Sequence, residues 1–355
     1  MKTTADILIL GGGVIGLAIA LELKLQGASV AIFCRQFEEA ASQAAAGMLA
    51  PQAEGIPPGA LRDLCIRSRD LYPEWIQKLE SISGQSTDYW ACGIMAPAYC
   101  QADFPHEVTQ WQRASEIHAR QPNLSDEVIG GWWFPEDAQV DSRKLARSLW
   151  LAVQELDVPI YHGITVQEVV HQADRVTHLR TSDGEYQAGH YILATGAWSQ
   201  DLLPIPVVPR KGQMLAVRVP DPTQLPLQTV LFGSESYIVP RRNGQIVIGA
   251  TSENVGFLPG NTPAGMQQLM GRATRLVPAI ANYTIEEFWY GYRPATPDEL
   301  PFLGASPYEN LTLATGHYRN GILLTPITGH IIANWVLHQE ADALLKAFHW
   351  SRLTA

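Results

Sequence analysis

Charge is scarce in this chain of 355 residues: 17% are Asp, Glu, Lys or Arg, against roughly 25% in an ordinary soluble protein. The charge present leans acidic, with 25 basic and 35 acidic residues and a formal net charge of −10. There is no run of Lys or Arg. A protein that works on phosphate backbones needs a concentrated positive field, so nucleic acid is not an expected partner. Cysteine is sparse as well. Cys34, Cys65, Cys92 and Cys100 form no C-x-x-C pair and no metal-ligand spacing, which predicts reduced thiols in a cytoplasmic protein and no bound metal. The histidines lack H-E-x-x-H spacing,. The apolar stretch 7–23 contains three consecutive glycines and Glu22. It falls short of the ~20 apolar residues a membrane span needs, and the start does not read as a signal peptide. No membrane segment or leader is expected. Internal repeats and low-complexity tracts are also missing.

What is there is an ordinary apolar share, 46%, enough to build a full core in one or two domains. Residues 6–10 form a short apolar run that fits a strand buried on both faces. Gly11-Gly12-Gly13 breaks it, 14–26 continues as an apolar helix, and Gly27 stands where a C-cap is wanted,. Residues 29–33 make a second strand, parallel to the first because a helix crosses between them. Helical patterns recur at 59–80 and 142–155. Residues 158–170, 175–181 and 186–193 read as three strands. From 207 to 292 the pattern turns to alternating strands at 213–219, 229–232, 236–240, 245–250 and 284–292, with one helix at 263–277. This fits an antiparallel sheet with one wet face. The last segment returns to a strand at 310–314, a Gly-rich loop and a final helix from about Pro326. The fold class expected is α/β plus antiparallel β. A nucleotide domain (1–84, 136–206 and 298–355) is interleaved with a substrate domain (85–135 and 207–297).

The motif Gly11-x-Gly13-x-x-Gly16 lies between a strand and a helix, the context that makes it a dinucleotide signature,. Gly11 allows the tight turn and Gly13 lets the backbone approach a pyrophosphate. Gly16 lets helix pack on strand, with the helix N-terminus facing the phosphates. The second strand should end in an acidic residue for the ribose, and here it ends in Cys34-Arg35. A thiol accepts hydrogen bonds poorly, and an Arg at this point leaves NADP open as a reading. Residues 42–50 (SQAAAGMLA) are small and nearly uncharged, which suggests backbone packed tightly against something.

The N-terminal motif and the block 44–54 (AAAGMLAPQAE) resemble the glycine oxidase branch of the D-amino-acid oxidase family. So do Tyr237-Ile-Val-Pro-Arg241, Trp289-Tyr-Gly-Tyr-Arg-Pro294 and 316–324 (GHYRNGILL). The resemblance covers the whole chain and implies a Rossmann-like FAD domain with FAD as cofactor. It also implies oxidation of glycine and related small amines, with dioxygen reduced to hydrogen peroxide and a homotetrameric assembly. The imine product would yield glyoxylate and ammonia or feed thiazole synthesis in the thiamine pathway. By the same resemblance, Val14 and Ile15 lie on the pyrophosphate, Cys34 and Arg35 near the ribose, and Ala41 and Ser42 at the next turn. Ala46, Gly47 and Met48 line the flavin ring, Val166 offers a backbone contact to adenine, and Gly196 belongs to the cofactor side. His317, Arg319, Asn320, Gly321, Ile322 and Leu323 wrap the ring. Thr325-Pro326 reads as N-cap and first turn of the final helix, whose positive end would favour an anionic reduced flavin.

An amino-acid oxidase must hold a carboxylate, and the planar fork of Arg donates two parallel hydrogen bonds to one. Arg293 matches the family's carboxylate arginine, Tyr237 the tyrosine that meets the same group, and Arg319 a second arginine near substrate and flavin. Ser252 stands where some relatives carry a bulky apolar residue, which widens the expected range to sarcosine and small D-amino acids. Direct hydride transfer requires no general base, so His317 is not assigned as one. Two other readings stay open: a dehydrogenase of the same fold with a non-oxygen acceptor, and a non-catalytic nucleotide-binding protein.

Overall fold

A computed structural model describes residues 2–3, 5–100, 110–233 and 235–353. Residues 101–109 of the expected substrate domain, and the last two of the nucleotide domain, lie outside the described residues.

Three layers carry the nucleotide half. The central sheet has six strands in the order Phe302–Ala305, Leu311–Thr315, His190–Leu193, Ile7–Leu10, Val30–Cys34, Ile160–His162. All neighbours pair in parallel except the first two. Ile7–Leu10 and Val30–Cys34 are buried along their whole length, which is why they read as unbroken apolar runs rather than as alternation. The odd side chains Ile7 and Ile9 join a core with helices Val14–Leu25, Ala60–Ser83, Ser142–Glu155 and Thr325–His338. The even ones, Leu8 and Leu10, join a second core with Val169, Val176, Leu179 and Tyr186. Those four belong to a four-stranded sheet, Lys2–Thr3, Gly184–Gln187, Arg175–Thr181, Val166–Gln172, that covers the other face.

Here the structure departs from two of the expected strands. The run 158–170 is two strands in different sheets, Ile160–His162 and Val166–Gln172. Between them Gly163 has φ +79°, a left-handed turn that only glycine adopts at little cost. The run 186–193 likewise divides into Gly184–Gln187 and His190–Leu193. Strand patterning does not separate two strands joined by only two or three residues, because the pattern runs on across so short a joint.

The other half is an eight-stranded sheet, ordered Thr284–Ala295, Val208–Arg218, Gln245–Gly249, Tyr237–Pro240, Val230–Phe232, Ile94–Ala98, Gly130–Phe134, Gln112–Arg113. It is antiparallel except where Val230–Phe232 meets Ile94–Ala98. One face packs on helix Pro263–Leu276, and the other faces Ala46, Ala50 and Ala53. The edge strand Thr284–Ala295 runs past residue 292, so Arg293 lies within a paired strand, opposite Arg210. Among the described residues no helix is long and apolar enough to cross a membrane.

Candidate active site

A cleft of about 440 Å³ opens between the two halves. Its nucleotide side is the carboxyl ends of Ile7–Leu10, Val30–Cys34 and His190–Leu193, the place where open parallel sheets bind ligands,. Gly11, Gly13, Val14, Ile15, Cys34, Arg35, Ala41, Ser42, Val166 and Gly196 all line it. Gly11 has φ +120°, and a Cβ there would overlap the Ala194 carbonyl. At Gly13 a Cβ would meet nothing closer than 3.7 Å, so the N-terminus of helix Val14–Leu25 is open to a phosphate. Gly16 does not line the cleft; a Cβ on it would overlap the Gly11 carbonyl, so its part is helix–strand packing. The buried Ser42 Oγ has no hydrogen-bond partner among the described residues, as expected of a hydroxyl waiting for a ligand. These residues fit a dinucleotide.

The strand end at Cys34 has a local explanation. A Cβ on Gly12 would lie 2.6 Å from Cys34 Sγ, so the thiol packs directly under the glycine turn. Burial pushes its pKa up to about 11; Cys34 lines the cleft as an apolar group. Arg35 lies over the Trp198 ring, 4.3 Å from its centroid, and is ion-paired to Glu39. A carboxylate beside Arg35 opposes a ribose 2′-phosphate, which weakens the NADP reading.

The small loop is held from behind. Gln43 O accepts from Arg143 Nε at 3.0 Å, Ala44 O from Trp289 Nε1 at 3.1 Å and Ala45 O from Ser142 Oγ at 2.6 Å. Ala46 O accepts from Arg241 Nη2 at 2.7 Å, and Gly47 O from Val140 N at 2.9 Å. A Cβ on Gly47 (φ +79°) would overlap the Val140 carbonyl. Consecutive carbonyls tied to other elements leave Ala46, Gly47 and Met48 facing the cleft. Their small, uncharged composition follows from being pressed between a buried arginine and a ligand surface.

On the substrate side, the register of the antiparallel sheet brings Tyr237, Arg293 and Ser252 to the same cleft as Arg319. Arg293 Nη1 donates to Thr251 O at 3.2 Å. Burial raises the Tyr237 hydroxyl's pKa, and the neighbouring Arg293 guanidinium works against that. Arg319 lies over the Tyr318 ring and opens into the cleft. Of the 317–323 loop, His317, Gly321 and Ile322 also line it, whereas Asn320 and Leu323 do not. Asn320 N donates to His317 O at 2.9 Å, and Leu323 O accepts from Ser68 Oγ at 2.6 Å, so these two shape the loop from outside. His317 is buried, its Nε2 is 3.2 Å from Thr328 Oγ1, and burial lowers its pKa to about 3. The final helix starts at Thr325 after Leu324, with no side-chain cap. Thr325 is therefore not the N-cap: its hydroxyl turns back to donate to Gly321 O at 2.8 Å, bracing the loop. The helix N-terminus still follows directly on the cleft-lining Gly321 and Ile322.

Three features escaped the sequence reading. Glu54, the last residue of the 44–54 block, lines the cleft. Burial raises its carboxyl to a pKa of about 7, opposed by Arg319 and Arg293. Gly212 and Gly249 give room to the two key side chains: a Cβ on Gly212 would lie 2.5 Å from Arg293 Nη1, and one on Gly249 2.5 Å from the Tyr237 hydroxyl. A glycine inside a strand is a sign of close approach, so the signal for these two was present. A lone acid in a turn has none. Among the described residues no group of His, Cys, Asp and Glu is placed to hold a metal.

Comparison with known proteins agrees with this geometry. The family model described as FAD dependent oxidoreductase (DAO) matches residues 6–335. The chain is 56% identical to the "Bifunctional protein ThiO/ThiG" of Trichormus variabilis over 98% of its own length and 55% of that protein; it thus spans about half of that relative. It is 35% identical to the glycine oxidase of Geobacillus kaustophilus, covering 98% of this chain and 97% of the relative. The crystal structure of glycine oxidase from that organism superposes with a TM-score of 0.92 at 34% identity, covering 99% of each chain.

Proposed function

Since this chain belongs to the family of FAD dependent oxidoreductases, with FAD as its cofactor, we propose that it oxidises glycine and other small amines. The observation that carries this reading is the convergence of Arg293, Tyr237 and Arg319 on one cleft beside the glycine turn. Two guanidinium groups and a hydroxyl fit a single carboxylate, held by charge-assisted hydrogen bonds. FAD, held by the turn Gly11 to Gly16 and the loop Ala46 to Met48, would supply two-electron oxidation of the substrate, with dioxygen as final acceptor and hydrogen peroxide as its product. The protein's part is to fix the carboxylate so that the Cα–H points at the ring, and to keep the site small. Burial lowers the His317 pKa to about 3, which makes it a weak base, and its Nε2 faces Thr328, so its part is to orient the loop. Ser252 is exposed at the rim, which supports room for the methyl groups of sarcosine and small D-amino acids.

In this reading the imine is hydrolysed to glyoxylate and ammonia, or consumed in thiazole formation. The double name of the Trichormus relative supports the thiamine role. A cytoplasmic homotetramer belongs to the same reading.

The test is an absorption spectrum of the purified protein, followed by glycine added without air. Flavin bands that bleach with glycine and return with air, with hydrogen peroxide formed, are the expected result. Bleaching without peroxide on re-aeration would assign a dehydrogenase with another acceptor. Flavin bands that ignore glycine, sarcosine and D-alanine would overturn the reading.

A further inference from the structure

Glu54 is a carboxylate with an unusual address. It sits in the turn 51–55 and lines the cleft that also holds Arg293, Arg319 and Tyr237. Yet among the described residues no cation comes within 4.0 Å of it. An acid brought into a half-enclosed site and left without a near counter-charge is costly unless a ligand pairs with it.

The turn that carries it is built to stay in place. Ala53 N donates to Asp137 Oδ2 at 2.8 Å, and Gln52 N also bonds Asp137. Asp137 has no exposed surface. It is paired with Arg69 of helix Ala60–Ser83, whose Nη1 lies 3.4 Å from Asp137 Oδ1 and 3.2 Å from Gln52 Oε1. Glu54 N donates to Ala50 O at 3.0 Å. A buried ion pair thus grips two successive backbone N–H groups just ahead of Glu54, and the glutamate side chain is left free for the cleft.

We propose that Glu54 binds the ammonium group of the substrate and takes a proton from it, so that the site selects compact zwitterions. This rests on the amine-oxidase reading above and deepens it. Arg293 and Arg319 hold the carboxylate end and Glu54 the nitrogen end of the same molecule. One N–H bond of the ammonium breaks and one O–H bond of the Glu54 carboxyl forms. The products of that step are the neutral amine, which keeps the electron pair on nitrogen, and the neutral acid. No electron leaves the substrate in it. The amine is then the form that releases hydride from Cα.

The charged and titratable groups facing Glu54 are few. Arg319 and Arg293 favour its ionised form, and Asp137 opposes it. Tyr237 and Cys65 sense its charge in turn. Burial outweighs the arginines and leaves the carboxyl with a pKa of about 7 in the free protein. That is close to an even match for receiving and returning a proton near neutrality.

The experiment compares holoenzyme with its Glu54→Gln and Glu54→Asp variants, each checked for FAD retention and folding. Acetate, which has the carboxylate but no amine, is titrated by its perturbation of the flavin spectrum. Glycine is followed in the same way and by anaerobic reduction across pH. In Glu54→Gln, acetate affinity should stay within about twofold while glycine kcat/KM falls by about 30-fold or more. The acidic limb of its pH profile, near pH 7 in the wild type, should vanish. Glu54→Asp should restore part of the glycine rate and the limb. Equal loss for acetate and glycine, or an unchanged limb in Glu54→Gln, would overturn the proposal. If no small amine reduces the wild-type flavin, the amine-oxidase reading fails by itself. The glycine-to-acetate binding ratio, which needs no turnover, then still decides whether Glu54 pairs with an ammonium group.

Discussion

The guanidinium of Arg293 rests on the backbone of Gly212. A Cβ at Gly212 would lie 2.5 Å from Nη1, 2.7 Å from Nη2 and 2.8 Å from Cζ. Arg293 is on the edge strand and Gly212 on its neighbour, with Gly291 directly opposite Gly212. Gly212 thus clears the floor on which the fork of the arginine lies, its Nη1 held by Thr251 O, whereas Gly291 makes room for Ala44.

Gly212→Ala should therefore push the guanidinium aside without harming the fold, because the obstructed atoms are the far end of a flexible side chain. The expected result is a KM for glycine raised about tenfold or more, with stability changed by only about 1 kcal/mol or less. Steady-state kinetics and urea unfolding of one preparation check it. A KM within error of the wild type would remove Gly212 from the site.

Arg293→Ala should cost at least ~2 kcal/mol of substrate interaction, a fall of about 30-fold in kcat/KM, because a charge-assisted pair is lost. FAD should remain bound. Arg293→Lys keeps the charge and loses the fork, so it should recover only a minor part. Acetate titration of the flavin spectrum gives the same order without turnover, and unchanged acetate binding in the alanine variant would refute the assignment.

Arg241 is a structural counterpart. It is 5% exposed and donates to Gln139 Oε1, Val140 O and Ala46 O. Arg241→Leu would strand those buried acceptors, at a cost of ~3 kcal/mol or more. Because Ala46 belongs to the loop facing the cleft, FAD should also dissociate more readily. Thermal unfolding with and without added FAD tests both parts; a variant as stable as the wild type would show that the loop stands without this arginine.

His317 should make the protein less stable in acid. Its folded pKa is lowered to about 3 from an unfolded value of 6.5. Between those values the unfolded chain binds the extra proton, so this contribution is complete above 6.5 and is lost as pH falls toward 3. Glu54 and Asp137, raised to about 7 and about 6, act in the opposite sense: their contribution is present at low pH and lost as pH rises. Comparison with His317→Gln separates the histidine. From about pH 7 to about pH 5 the wild type should lose roughly 2 kcal/mol more than the variant. Equal losses in urea unfolding would mean that the imidazole is protonated in the folded protein.

Much of this molecule was written locally. The turn Gly11 to Gly16, the parallel strands flanking it and the small loop around Gly47 each follow from steric needs satisfied within a few residues or against one neighbour. Arg293, Tyr237 and Arg319 were legible because their residue types suit a carboxylate and their flanking sequences resemble known blocks. The strand bounds at 158–170 and 186–193 were not, since a joint of two or three residues carries no mark of which sheet each strand enters. Nor was Thr325, whose hydroxyl prefers the Gly321 carbonyl to the cap.

Residue order alone was enough for the glycine turn with its flanking strands and for the residue types that line the cleft, because backbone sterics and residue chemistry act at short range. Where charge sits in the cleft was set by long-range packing. Asp137 and Arg69 meet 68 positions apart to set the turn of Glu54, and Gly212 lies under Arg293 across a strand pair. Each depends on distant segments being packed to within a few ångströms, and electrostatic energy in a desolvated site changes steeply over that range.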